Sequence, residues 1–308
     1  MFSPFDRVIR HATGLLLLAG ASGAVLAQAQ AQAPTDTLAH IRETKVVTLG
    51  VREAARPFSF LNEQKQPVGY SVDLCLNAVE GIKRELKLPD LKVQYKVVSG
   101  PERIPKLLSG EIDMECGSTT NTRARQEKVA FSYTFFVASM RLLTPKNVQV
   151  ESVKDLNGMQ VALSKGTTSE KLFNQLANGE LHAKLETFAS NGEAYKALKE
   201  GRVRAFPQDD SLLLGLASND KALDTFQVSN LALSVEPYAV MLRKGDTALL
   251  ASVDRSLSQL YASGEINALY TKWFLTDALT IKMSRLTRDS FVRPNKEAGV
   301  AMLLGFSI

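Results

Sequence analysis

A β-α-β-α-β rhythm that runs once, stops and starts again limits this chain more than any other feature. Val46–Val51 (VVTLGV) is a short β-branched run without polar alternation, the pattern of a strand buried on both faces. A helix opens within Val68–Val79, where apolar residues recur at helical spacing. Leu91–Val98 alternates as a strand, Glu102–Ser109 is helical with Gly110 closing it, and Glu111–Cys116 is a third strand. Strands separated by helices build a mainly parallel sheet with helices on both faces. The second round begins after Thr144–Asn147. It has a strand within Leu156–Leu163, helices at Ser169–Leu176 and Gly192–Leu198, a strand-like Arg202–Phe206 and a helix at Leu212–Leu216. Glu236–Leu242 then reads as a strand, and Thr247–Tyr261 and Glu265–Phe274 as amphipathic helices. Joining segments near 142–147 and 234–242 give two crossings, so the second unit is inserted into the first. This predicts an α/β protein of two lobes, each a mainly parallel sheet flanked by helices, with a ligand cleft between them and a two-strand hinge.

The 308 residues leave room for both units after the start is set aside. Arg7 and Arg10 precede a short apolar run and a small-residue exit, AQAQAQA, which together describe a signal peptide over residues 1–27. The run is too short and too rich in Gly and Ala for a membrane span. The expected mature protein is soluble, exported and periplasmic. In that oxidising compartment the two cysteines, Cys75 and Cys116, fit one disulfide, with two buried thiols as the alternative. The net charge of +5 comes from dispersed Lys and Arg without a run that would track nucleic acid. Three histidines form no H-E-x-x-H, and no C-x-x-C, Walker A or G-x-G-x-x-G is present, so neither a metal nor a cofactor is expected.

Candidate binding residues gather where strands end. Glu115–Gln126 (ECGSTTNTRARQ) switches abruptly from an apolar run to hydroxyls and guanidinium groups. Ser118, Thr120 and Arg125 there can meet an oxygen ligand, because loop N–H groups and a planar guanidinium fork both match a carboxylate. Arg123 reads as solvated. Thr167 and Glu170 fit a capping box, which leaves Thr168 to face the cleft at a helix N-terminus. Arg52 ends the first strand, where side chains point at the crevice of an α/β sheet. Arg103 falls in the first turn of a helix, unfavourable for the helix dipole. Asp209 follows a strand-like run and could take an ammonium group, with Asp210 as the N-cap after it. Three arginines, several hydroxyls and one acid describe a site for an acidic amino acid.

The motifs VREAARPFSF, PVGYSVDLC, RIPKLLSGEIDMECGSTTNTRARQ, SKGTTSEK, QDDSLL, EPYAVMLRKGD and SGEINALYTKWF carry a family likeness over residues 36–280. The chain resembles the periplasmic amino-acid-binding proteins of ABC importers, solute-binding family 3, and among them the glutamate/aspartate binders. The resemblance implies the type II periplasmic-binding-protein fold. Its lobes would be 36–142 and 239–280 for the first and 143–238 for the second, with a tail of 281–308 that the sequence does not place. It implies that Arg125, Ser118, Thr120 and Thr168 hold the ligand α-carboxylate, Asp209 the ammonium, and Arg52 and Arg103 the side-chain carboxylate. It also implies a monomer that delivers L-glutamate or L-aspartate to an inner-membrane ABC permease, without catalysis. Two positions depart from the family pattern. Gly100, beside Ser99, stands where the relatives carry serine, and Asn191 where they carry histidine; Ser99 and Asn191 are the candidates for the ligand's side-chain end. These departures leave open glutamate, aspartate or another polar amino acid. The alternative is an enzyme on the same fold, resembling periplasmic cyclohexadienyl dehydratases, with Glu53, Asp209 or Lys165 as its general acid.

Overall fold

The computed structural model describes residues 36–179, 181–302 and the backbone of 306–307. The expected signal peptide lies outside the described residues. Asp36 caps the first helix, Thr37–Thr44, and the chain then enters strand β1 at Val46–Val51, within the bounds its composition set.

Two sheets share one plan. The first contains β1, β2 (Lys92–Val97), β3 (Met114–Glu115), β4 (Val129–Phe131) and a strand from the return of the chain, Met241–Arg243. β1 pairs in parallel with β2 over six residues, Val46↔Lys92 to Val51↔Val97, and with β3 on its other side. Met241–Arg243 runs antiparallel between β3 and β4. Three further strands precede the second sheet's helices: β5 (Phe136–Ala138), β6 (Met140–Pro145) and β7 (Gln160–Ser164). They are followed by β8 (Lys184–Phe188), β9 (Phe206–Asp209) and β10 (Phe226–Val228). β7 lies parallel to β8, a single parallel bridge from Val161 to Ala205 joins β7 to the start of β9, and β6 runs antiparallel between β9 and β10. Each sheet is therefore parallel except for one strand, and that strand is the one that enters from the other unit.

The crossing itself is made by β5 and β11 (Ser234–Tyr238), which pair antiparallel through Phe136↔Tyr238 and Ala138↔Glu236. β11 leads into β12, the Met241–Arg243 strand. The first crossing comes a few residues before the expected 142–147, because Met140 and Leu142 already pack in the second core. The expected Glu111–Cys116 strand is shortened to two residues, since Asp113 turns its carboxylate back to the Thr48 amide. Helices cover both faces of the first sheet, and β1 is buried continuously from Leu49 to Val51 after an alternating start. Phe58, Phe136, Tyr238 and Phe274 pack with ring centroids 4.8–5.3 Å apart around Phe58, anchoring both crossing strands to the first core.

Cys75, on the helix Tyr70–Leu86, and Cys116, just past β3, form a disulfide with a Cα–Cα distance of 6.2 Å. Closing a loop of this length removes about 4 kcal/mol of unfolded-state entropy in the chain-entropy account. The tail that the sequence left unplaced runs back over the crossing strands. Thr287 Oγ1 accepts the Val137 amide, and Val300–Ala301 pairs antiparallel with Ser234–Val235.

Candidate functional site

In open parallel sheets the carboxyl ends of strands face the crevice, and here the ends of four strands supply the site. Arg52 follows β1, Gly117–Thr120 follows β3, Thr167 and Thr168 follow β7, and Asp209 ends β9. Arg52, Ser118, Thr120, Thr167, Thr168 and Asp209, together with Arg103, Arg125, Asn191, Gln208 and Leu212, line a small cavity of about 20 Å³.

The local sequence explains how each group arrives. Glycine at 117 lets the Arg52 stem and the Glu115 carboxylate lie against the loop: a Cβ there would stand 2.2 Å from Glu115 Oε1 and 2.9 Å from Arg52 Cγ. Thr122 caps the short helix Arg123–Gln126, with Arg123 exposed, and so turns Arg125 inward. Thr167 accepts the Glu170 amide, and Glu170 reaches back to the Gly166 amide at 2.7 Å, which opens the helix Thr168–Ala177. The expected box thus closes one residue earlier than the standard form. Asp210 is not the N-cap: the helix spans Asp210–Asn219, and the Asp210 carboxylate instead accepts the amides of Ser211 and Ser139.

The cationic end is tied down from behind. Arg103 donates to Thr119 Oγ1 at 2.7 Å, and Thr119 passes its own proton to Glu115 Oε2 at 2.6 Å. Arg125 donates to the Thr120 carbonyl at 2.9 Å. Both arginines also donate to the Gly166 carbonyl, at 2.8 and 3.2 Å, so the first lobe grips the second through one backbone oxygen. The Arg52 guanidinium makes no hydrogen bond among the described residues. Burial and the neighbouring Arg103 lower the pKa of Arg52 to about 10, against the pull of Glu115. The same two causes lower that of Arg125 to about 9. Both stay charged at neutral pH.

The acidic end is held by a phenol. Tyr238 donates to Asp209 Oδ2, while Asp209 Oδ1 is buried with no hydrogen-bond partner among the described residues. Burial, followed by the Glu236 carboxylate, raises the Asp209 pKa well above the ordinary range, with the Tyr238 hydrogen bond opposing. Glu236 itself accepts from Thr168 Oγ1 at 3.1 Å and from Ser234. A buried carboxylate oxygen left unpaired is costly, and a cationic donor removes the cost.

The sequence matches the family described as bacterial extracellular solute-binding proteins, family 3, over residues 47–276. The chain belongs to that family. It is 41% identical to the L-glutamate/L-aspartate-binding protein of Pseudomonas aeruginosa, over 86% of this chain and 89% of that one. It is 35% identical to the glutamate/aspartate import solute-binding protein of Escherichia coli, over 94% and 98% of the two chains. Among solved structures, an ancestral amino acid-binding protein described as a precursor of cyclohexadienyl dehydratase superposes with a TM-score of 0.67 at 29% identity, covering 77% of this chain and 99% of that one.

In this solute-binding protein, eight of the expected ligand residues come together: Arg52, Arg103, Ser118, Thr120, Arg125, Thr168, Asn191 and Asp209. Ser99 does not. Its amide and hydroxyl both go to the Glu102 carboxylate, at 3.0 and 2.6 Å, outside the lining. Glu53 and Lys165 are exposed and also lie outside it. The sequence reading missed Gln208, which donates to Asn191 Oδ1 at 3.0 Å, and Leu212, Glu115, Thr119, Glu236 and Tyr238. Glu115 stood in the quoted stretch as its only acid, and that was the available signal. Glu236 and Tyr238 gave none, because they approach from the returning strand.

Proposed function

We propose that this protein is the periplasmic substrate-binding component of an ABC amino-acid importer, taking an acidic L-amino acid, glutamate or aspartate, without chemical change. The observation that carries the reading is the meeting, in one small buried space, of three arginines with Asp209, whose Oδ1 has no hydrogen-bond partner among the described residues. Arg125, Ser118, Thr120 and the first turn of the helix Thr168–Ala177 would hold the α-carboxylate. The Thr168 hydroxyl proton is already given to Glu236, so backbone N–H groups at that helix start are the better donors. Asp209 Oδ1 would take the ammonium. Arg52, with its guanidinium otherwise unbonded, and Arg103 would hold the side-chain carboxylate, while Asn191 and Gln208 bound its far end. The two relatives named above, both described as glutamate/aspartate-binding, support the ligand class. The lobes are those set out above, with the crossings at β5 and β11. The signal peptide supports export, a complete site within one chain supports a monomer, and an inner-membrane permease would receive the ligand from the closed form.

Titration calorimetry of the wild type and Arg52→Ala against L-glutamate and L-glutamine tests the reading. Arg52→Ala should lose roughly a hundredfold in glutamate affinity, the scale of truncating a buried charge pair, and much less for glutamine. Equal losses for both would sink the acidic assignment.

One observation favours a second reading. A carboxyl with its pKa pushed up inside a pocket is what a general acid needs, and one structural relative is described as a dehydratase precursor. Incubation with arogenate or prephenate decides it: an aromatic product, lost in Asp209→Asn, would make the protein a dehydratase.

A further inference from the structure

Where the two lobes meet, glycine removes the side chain. Gly215 sits inside the helix Asp210–Asn219, which packs on the second sheet through Leu213 and Ala217. A Cβ on it would stand 2.3 Å from the Arg56 carbonyl oxygen and 2.8 Å from its carbon, in the loop after β1. A second place repeats the pattern. A Cβ on Gly100 would stand 2.3 Å from the Lys165 carbonyl oxygen, and one on Gly166 would stand 2.7 Å from both Gly100 C and Pro101 N. Each atom struck is backbone, which cannot swing aside as a side-chain tip can. A third glycine on the same face, Gly192, differs: its nearest neighbour is Ala54 Cβ at 3.8 Å, an ordinary contact.

The Gly166 carbonyl is also the acceptor that Arg103 and Arg125 share. The backbone contact at Gly100 and this arginine grip are therefore one event. If a side chain held the Lys165–Gly166 turn away, both charged hydrogen bonds would lengthen past use.

We propose that Gly215 and Gly100 set the closure of the cleft: their bare backbones let the lobes approach to the distance at which the arginines reach Gly166, and so they fix affinity without touching the ligand. The inference rests on binding by closure, as read above. A protein that reaches its closed state less often binds more weakly by that factor.

The test uses Gly215→Ala, Gly100→Ala and, as control, Gly192→Ala. None of the three positions has a left-handed φ, so alanine brings no backbone strain. Gly215→Ala should hold or raise the ligand-free melting temperature, since alanine favours a helix interior. Titration with L-glutamate and L-aspartate should show roughly tenfold or greater weakening for both seat variants, the scale of charged hydrogen bonds lost, and no change for Gly192→Ala. Small-angle scattering at saturating ligand should find the seat variants more expanded than the wild type. Wild-type affinity and wild-type compaction in Gly215→Ala and Gly100→Ala would overturn the proposal. If the wild type binds neither acid, the ligand reading fails, and the same comparison is run with the amino acid that raises its melting temperature in a thermal-shift screen.

Discussion

The first lobe buries arginine in two places, for opposite purposes. Arg243, at the end of β12, gives its two Nη atoms to the carbonyls of Leu107 and Ile112, to Thr37 Oγ1 and to the Asp113 carboxylate at 3.2 Å. The pocket arginines are held more sparingly. Arg103 and Arg125 have two acceptors each, and the Arg52 guanidinium has none among the described residues. A buried cation needs acceptors in proportion to its donors. Where the fold supplies acceptors to both Nη atoms, leaving only the Arg243 Nε without a partner among the described residues, the charge is part of the framework. Where it withholds some, the remainder waits for an anion.

The largest effect should come from breaking the framework arginine. Arg243→Ala leaves Asp113 buried without its partner and should cost about 3–5 kcal/mol of unfolding free energy, read from urea denaturation. Arg103→Ala should behave in the opposite way. Glutamate affinity should fall by about 2–5 kcal/mol, as for truncation of one member of a buried charged pair. Ligand-free stability should hold, because repulsion among the three arginines is relieved. If both variants lost stability alike, the distinction between the two sites would collapse.

A smaller effect sharpens the account of the cationic end. Thr119→Val removes the hydroxyl between Arg103 and Glu115 and should weaken glutamate binding by about 1–3 kcal/mol, the cost of an unsatisfied buried group. Calorimetry showing no change would mean that the relay does not position Arg103.

The acidic end supplies the smallest effect, and it depends on pH. Asp209 has a folded-state pKa above its unfolded value, so between the two the folded protein binds more protons. Ligand-free stability should therefore fall as pH rises from the ordinary carboxylate range through the raised value. Asp209→Asn should flatten that slope. A bound ammonium favours the ionised carboxyl, so wild-type affinity should rise across the same window, with proton release visible as a buffer-dependent binding enthalpy. An unaltered slope in Asp209→Asn would assign the titration to another group.

Much of this was legible in the sequence. β1 could be bounded to the residue because a β-branched run with no polar interruption has few other uses. The helix start at Thr167 could be read because a capping side chain acts on its own neighbours. Arg52 was legible for a related reason: a charge at the end of a buried strand is costly unless it faces a crevice. Ser99 failed because two acceptors competed for its hydroxyl. Glu102, three residues away, took it, and sequence alone does not rank a local acceptor against a distant ligand. The Asp210 cap failed similarly, since Ser139 from the crossing offered an amide that the local pattern could not show.

The sequence by itself determined the order of elements, the insertion of one α/β unit in another and the chemical kind of each strand-end residue, because these follow from interactions within a few residues along the chain. Only the tertiary structure decided that Glu115 braces Arg103 through Thr119, that Tyr238 returns to hold Asp209, that the tail lies over the crossing, and that backbone comes close to Gly100 and Gly215. Each of these joins atoms far apart in sequence, and their distances are set by how two packed sheets meet rather than by anything either partner carries alone.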